Sequence, residues 1–329
     1  MECLLPSATT TSAVGQTITL TPDPTDYLRS TTPDWRQIDW AAHRRQVKTR
    51  NGIVNYVDIG EGDPACVLLH GHGGRWQYWL ETVPALAKHH RVIAVDLPGF
   101  GGSELLPKPA RSMDDLAATI DEFAELLALG VIDVVGHSMG TLCGIEIAAA
   151  FATRVRRLVL AAGPTTSIVD FLTHPLRVGR RYPRLGRAVI ADLLSAGPPM
   201  PAAARRAFAY RTRLRAMAFA PYFTPAQRLA PDLAQHLIDC VGAPGYYPVA
   251  ARARHYDPRP AQHRVQCPIM LINGTEDSWV PIADIEHLRD AAPVTYDIRI
   301  CPARHLLNIE WPALFNHLVT DFLNEDSPT

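Results

Sequence analysis

The sequence predicts an α/β protein, a mostly parallel sheet flanked by helices, with a helical segment inserted late in the chain. Three observations carry that expectation. Short apolar runs of strand length alternate with helical patterns over 66–161 and again over 268–323, as in sheets covered on both faces. Between these stretches, residues 163–262 break the rhythm with 13 prolines and 14 arginines. A Gly-x-Ser-x-Gly motif stands at one strand–helix junction.

Taken in order, residues 6–33 are rich in Ser, Thr and Pro without periodicity and read as a flexible or loosely docked arm. With a short helix at 34–42, carrying Trp35, Ile38 and Trp40, they make up a segment 1–45. Runs 46–50 and 53–59 flank Asn51-Gly52, a two-residue hairpin signal. Strand 66–70, a glycine-rich loop, a helix near 76–88 and strand 91–95 follow. Helix 112–129 opens on Ser112, with Asp114 and Asp115 in its first turn where the helix dipole favours them. Strand 131–135, helix 139–152 and strand 155–161 complete the first stretch. The rhythm resumes with strand 268–273, helix 282–291, strand 295–300 and helix 312–323. One sheet domain, 46–162 with 263–325, is thus interrupted by an insert at 163–262.

Composition narrows the class. With 32 basic and 33 acidic residues the net charge of −1 argues against a general nucleic-acid binder. An apolar fraction of 47% argues against disorder, and 329 residues suffice for a full core. The longest apolar runs, such as 145–152, fall short of the ~20 residues of a membrane span. Met1-Glu-Cys-Leu-Leu-Pro-Ser lacks the basic and apolar regions of a secretory signal. Six scattered cysteines without a C-x-x-C pair fit a reducing, cytoplasmic setting better than a disulfide scaffold or a zinc site. The near-zero sum conceals an asymmetry: the insert holds 14 Arg and 5 Asp with no Lys or Glu, a formal +9 against −10 elsewhere.

Gly136-His137-Ser138-Met139-Gly140 lies between strand 131–135 and the next helix. A turn that sharp admits only small residues at Gly136 and Gly140, and it lifts the Ser138 hydroxyl above the sheet at a helix N-terminus. A serine hydroxyl needs a base and an orienting acid to act as a nucleophile. Of 13 histidines, His137 is pinned in the turn and His70 ends a strand where it satisfies loop backbone. His305, in the loop after strand 295–300, lies on the rim where parallel sheets bind ligands. Asp277, after strand 268–273, lies on the same rim, with Glu276 its nearest rival and Asp284 a weaker one. Two backbone N–H groups are needed for an oxyanion. Met139 offers one, and His72 in His70-Gly71-His72-Gly73-Gly74 is the candidate for the other.

These pieces, with Asp96-Leu97-Pro98-Gly99-Phe100-Gly101-Gly102-Ser103 and Gly274-Thr275-Glu276-Asp277, resemble the α/β-hydrolase superfamily over roughly 45–325. The resemblance implies an eight-stranded, mostly parallel sheet, a helical cap after the sixth strand, and a Ser138–His305–Asp277 triad. Relatives that open epoxides or remove halide carry aspartate at the elbow; Ser138 disfavours those reactions. Serine relatives that cleave carbon–carbon bonds often have Asn before the serine and Trp after the histidine, where this chain has His137 and Leu306. The His305 loop reads Ala303-Arg304-His305 where Gly-His is more usual.

In capped relatives the insert roofs the site. Phe219 and Tyr222 from the insert, with Trp279 and Leu306, are the candidate pocket residues; the insert's aromatics serve either a cavity or its own core. Its arginines form a solvated or internally paired face, contact an anionic substrate group, or dock on an anionic membrane. The expected activity is cleavage of a carboxylic ester, lactone or thioester through an acyl-enzyme, on a small and possibly anionic substrate, without metal, nucleotide or organic cofactor. Alternatives are a carbon–carbon hydrolase, a cofactor-free lyase or tailoring enzyme, and a non-catalytic binding module on the same fold.

Overall fold

The computed structural model describes residues 15–31, 33–108 and 112–325. Its strands are β1 (Gln16–Leu20), β2 (Arg44–Thr49), β3 (Gly52–Ile59), β4 (Ala65–Leu69), β5 (Val92–Val95), β6 (Ile132–His137), β7 (Val155–Ala161), β8 (Ile269–Gly274) and β9 (Val294–Ile300). They form one sheet in the order β1-β9-β8-β7-β6-β4-β5-β3-β2. Only the β2–β3 and β3–β5 pairs are antiparallel. Every residue of β4 and β5 is buried, which is why these strands read as unbroken apolar runs and not as alternations. Successive side chains of β4 serve opposite faces. Val67 and Leu69 pack with the helices Met113–Leu126 and Met139–Ala150. Cys66 and Leu68 pack with Val83–Leu86 and Pro312–Asn324.

The sheet has nine strands, one more than expected, and the extra one comes from the arm. β1 runs parallel to β9, with Ile18 opposite Ile298. Thr17 Oγ1 donates to Asp297 at 2.8 Å, and Asp26 accepts the backbone N–H groups of Ala313 and Leu314. From residue 15 onward the arm is therefore docked rather than loose; its residues 1–14, Cys3 included, lie outside the described residues.

Three local expectations shift for identifiable reasons. The hairpin loop is Arg50-Asn51, and Gly52, at φ +140°, is the first residue of β3 opposite Thr49. The helix near 76–88 is two short turns, Trp76–Trp79 and Val83–Leu86, the second opened by Pro84, which has no N–H to continue the first. The 34–42 helix is also two pieces, because Asp34 and Asp39 each cap a separate turn. By contrast, Ser112 caps its helix through a reciprocal bond with Asp115.

Between β7 and β8 the chain forms short helices, several of them opened by proline, such as Pro175–Arg181, Pro183–Ser195 and Pro231–Ile238. The helical stretch expected near 202–219 divides at Arg211, whose backbone is extended, into Ala202–Tyr210 and Thr212–Phe219. Among the described residues no helix is long and apolar enough to cross a membrane. Parallel strands β4, β6, β8 and β9 end on one edge of the sheet, so the loops that follow them converge.

Candidate active site

Ser138 leaves β6 with φ +53° and ψ −118°, a left-handed backbone that a non-glycine residue adopts only when its surroundings enforce it. The enforcement is steric. A Cβ on Gly136 would stand 2.5 Å from the Gly140 carbonyl oxygen, and one on Gly140 would stand 2.1 Å from that of Leu69. Hydrogen bonds lock the turn, Ser138 N–H to Ala161 O and Thr141 Oγ1 to Ser138 O.

His305, in the loop after β9, places Nε2 3.0 Å from Ser138 Oγ, and its Nδ1 lies 2.8 Å from Asp277 Oδ2. A carboxylate only accepts, so Nδ1 donates and Nε2 is left to accept the serine proton. Asp277 is oriented in turn by the Trp279 backbone N–H, which donates to Oδ1 at 2.7 Å. The side chains of His305 and Asp277 are 5% and 0% exposed, so the chain of bonds is screened little by solvent. The rival acids lie elsewhere. Asp284 accepts the backbone of Thr165 and Ser167, and Glu276 faces Arg304.

Met139 is the first residue of its helix, so its N–H has no acceptor four residues back. His72 lies opposite, in the loop after β4, and both residues border the same space as Ser138. A Cβ on Gly71 would come within 2.9 Å of Ser138 Cβ, which explains the glycine there. Three neighbouring histidines are held neutral. His70 donates from Nδ1 to Gly71 O and accepts the Leu97 N–H at Nε2, and burial lowers its pKa to about 4. Burial also lowers His72, which donates to Tyr246 O. His137 falls to about 3, first through burial and then through the nearby His305.

Ser138 and His305 open onto a cavity of about 670 Å³ bordered by core and insert. All four candidate pocket residues, Trp279, Leu306, Phe219 and Tyr222, line it. The Trp279 ring stacks on His305 with centroids 5.4 Å apart, and Tyr222 stacks beyond it at 6.3 Å. Two positions escaped the sequence reading. The sequence places His137 only in the turn, yet its Nε2 donates to the His305 carbonyl at 2.8 Å. Asp192, on the insert helix Pro183–Ser195, is the one acidic side chain on the cavity wall among the described residues; its solitary charge on an arginine-rich helix was the available signal.

The insert's arginines do not reach the cavity: among the described residues none lines it. Arg205 pairs with Asp239 and Arg259 with Asp170, each at 3.0 Å, while buried Arg215 donates to the Ala209 and Gln227 carbonyls. Among the described residues no group of three His, Cys, Asp or Glu side chains is placed to hold a metal ion.

Comparison with known proteins agrees with this architecture. A model of the alpha/beta hydrolase fold matches residues 64–312. The chain is 25% identical over 276 residues to 3-oxoadipate enol-lactonase 2 of Acinetobacter baylyi, across 81% of this chain and 91% of that protein. It is 36% identical over 124 residues to 2-hydroxy-6-oxo-2,4-heptadienoate hydrolase of Pseudomonas putida. That match takes in 36% of this chain and spans less than half, 45%, of the relative. A solved meta-cleavage product hydrolase from Pseudomonas fluorescens IP01 has a TM-score of 0.64 at 21% identity, covering 85% of this chain and 97% of its own. The chain belongs to the alpha/beta hydrolase fold family.

Proposed function

We propose that the protein is a serine hydrolase that cleaves a carboxylic ester, lactone or thioester through an acyl-enzyme. The carrying observation is the bonded chain from Ser138 Oγ to His305 Nε2 at 3.0 Å and from His305 Nδ1 to Asp277 Oδ2 at 2.8 Å. Ser138 attacks the carbonyl carbon while His305 takes its proton and then delivers that proton to the leaving group. Water, deprotonated by the same imidazole, releases the acid. Asp277 keeps the productive tautomer and stabilises the imidazolium. The N–H groups of His72 and Met139 receive the tetrahedral oxygen as its charge develops. A cavity of about 670 Å³ with a largely apolar wall suits a lipophilic acyl group of moderate length.

A second reading is favoured by the 36% identity to a heptadienoate hydrolase. There the same serine would attack the ketone of a vinylogous 1,5-diketone and break a carbon–carbon bond. The test is a fluorophosphonate probe and a panel of p-nitrophenyl esters, lactones and diketones, applied to the wild type and Ser138→Ala. The ester reading expects labelling and ester turnover in the wild type, both abolished in a variant with unchanged melting temperature. Diketone cleavage without ester cleavage would move the assignment to the second reading, and a fully active Ser138→Ala would sink both.

A further inference from the structure

Asp192 is an unusual side chain for the wall of this cavity. Its neighbours there are largely apolar, among them Val189, Leu193, Leu237 and Val249, and among the described residues no Lys or Arg shares the wall with it. A carboxylate in such surroundings persists only if hydrogen-bonded, and two tyrosines supply the bonds. Tyr222 Oη donates to Oδ1 at 2.9 Å, and Tyr246 Oη donates to Oδ2. Burial, followed by the Asp192 charge, pushes the Tyr222 hydroxyl well above its ordinary range, so it remains a donor. The same Tyr222 ring stacks on Trp279 and lies 6.3 Å from the His305 ring. One aromatic side chain therefore separates Asp192 from the reacting pair. Each carboxylate oxygen has accepted one phenolic hydrogen and retains capacity for another.

Resting on the ester-hydrolase reading, we propose that Asp192 is the specificity-determining residue of the cavity. It selects acyl groups that are neutral and carry a hydroxyl, and it rejects acyl groups that end in a carboxylate. The anionic substrate suggested by the arginine-rich insert is thereby reversed: the arginines stay outside the cavity, and the charge inside has the substrate's own sign. Two like charges in one cavity of largely apolar wall repel by an amount worth on the order of tenfold or more in binding. A substrate hydroxyl instead gives the carboxylate a further donor in place of the water it loses.

The experiment compares kcat/KM for the p-nitrophenyl esters of hexanoic acid, 6-hydroxyhexanoic acid and adipic acid (the monoester), near neutral pH. The wild type is expected to turn over the hydroxy ester faster than hexanoate, and adipate about tenfold or more below hexanoate. In Asp192→Asn the hexanoate-to-adipate ratio is expected to shrink about tenfold and the hydroxyl advantage to disappear. Asp192→Ser repeats the comparison should Asn lower the melting temperature sharply. Equal rates on adipate and hexanoate in the wild type, or an unchanged ratio in both variants, would overturn the assignment while leaving the hydrolase reading intact. Absence of all ester turnover together with absence of fluorophosphonate labelling would overturn the hydrolase reading and this assignment with it.

Discussion

The side chain of His137, the residue before Ser138, holds the backbone of His305: His137 Nε2 donates to the His305 carbonyl oxygen at 2.8 Å. The two imidazoles lie 5.0 Å apart at an angle of 60°. One strand end thus fixes both partners of the proposed proton transfer, Ser138 through the turn and His305 through its main chain. Since Nε2 carries the proton, Nδ1 is bare, and it is buried without a hydrogen-bond partner. Protonating it would strand a charged donor, in keeping with a pKa lowered to about 3 by burial and by His305. His137 is therefore a positioning residue that remains neutral at working pH.

Removing this tether is expected to act on turnover more than on binding. In His137→Ala the His305 loop loses a fixed point, and a displacement near 1 Å costs about a hundredfold in kcat. KM should change by much less, and fluorophosphonate labelling should slow in parallel with kcat. His137→Gln places an amide nitrogen at about the reach of Nε2 and should recover part of the loss. If both variants lowered melting temperature alike while retaining full kcat well below that temperature, the role of His137 would be structural only.

Much of this arrangement is legible in the sequence, and each part that is not has a physical cause. Strands β4 to β9 announced themselves through short, largely apolar runs, unbroken in Cys66–Leu69 and Ile269–Ile272, where both faces are buried. Ser138, Asp277 and His305 were legible because each follows such a strand, and the topology places all their loops on one edge. β1 was missed because Gln-Thr-Ile-Thr-Leu is a short, half-exposed edge strand whose partner, β9, lies some 280 residues away in the chain. The His137 tether ends on a backbone carbonyl, which has no sequence signature. The cavity-facing position of Asp192 is hidden for a different reason. Which face of a short helix borders a cavity depends on how the insert packs, and the periodicity of a helix shows that it has an apolar face but not what that face borders.

Glu310 makes stability depend on pH. It is 2% exposed beneath the His305 loop, where Oε2 accepts the Arg304 backbone N–H at 2.6 Å. Burial raises its pKa to about 7, opposed by bonds from the Arg304 and Thr224 backbone and by the Arg304 charge, and aided by the Glu276 charge. Because the folded pKa exceeds the unfolded value of 4.5, the folded state binds the extra proton between these limits. This contribution to stability is complete below pH 4.5 and is lost as pH rises through about 7. Glu310→Gln keeps an acceptor without the charge. Relative to wild type it should gain about 2 kcal/mol in going from pH 5 to pH 8, read from urea unfolding at the two values. An equal difference at both pH values would show that the buried group does not titrate in this range.

Asp277 separates orientation from geometry. Its Oδ1 accepts the Trp279 N–H and its Oδ2 accepts the His305 Nδ1–H. Asp277→Asn can preserve the first bond with its amide oxygen, but it then presents an NH₂ group to Nδ1. Two donors cannot face each other, so His305 is driven to the other tautomer, with its proton on Nε2 facing Ser138. The imidazole stays in place but can no longer accept the serine proton, and the charge that stabilised the imidazolium is absent. The expected loss in kcat is about ten-thousand-fold on an ester substrate, with labelling by fluorophosphonate slowed alongside it. KM and melting temperature should change little, because packing around the fully buried side chain is conserved. Retention of a tenth or more of wild-type kcat would show that another group, with Glu276 the nearest acid in the chain, orients His305 during turnover.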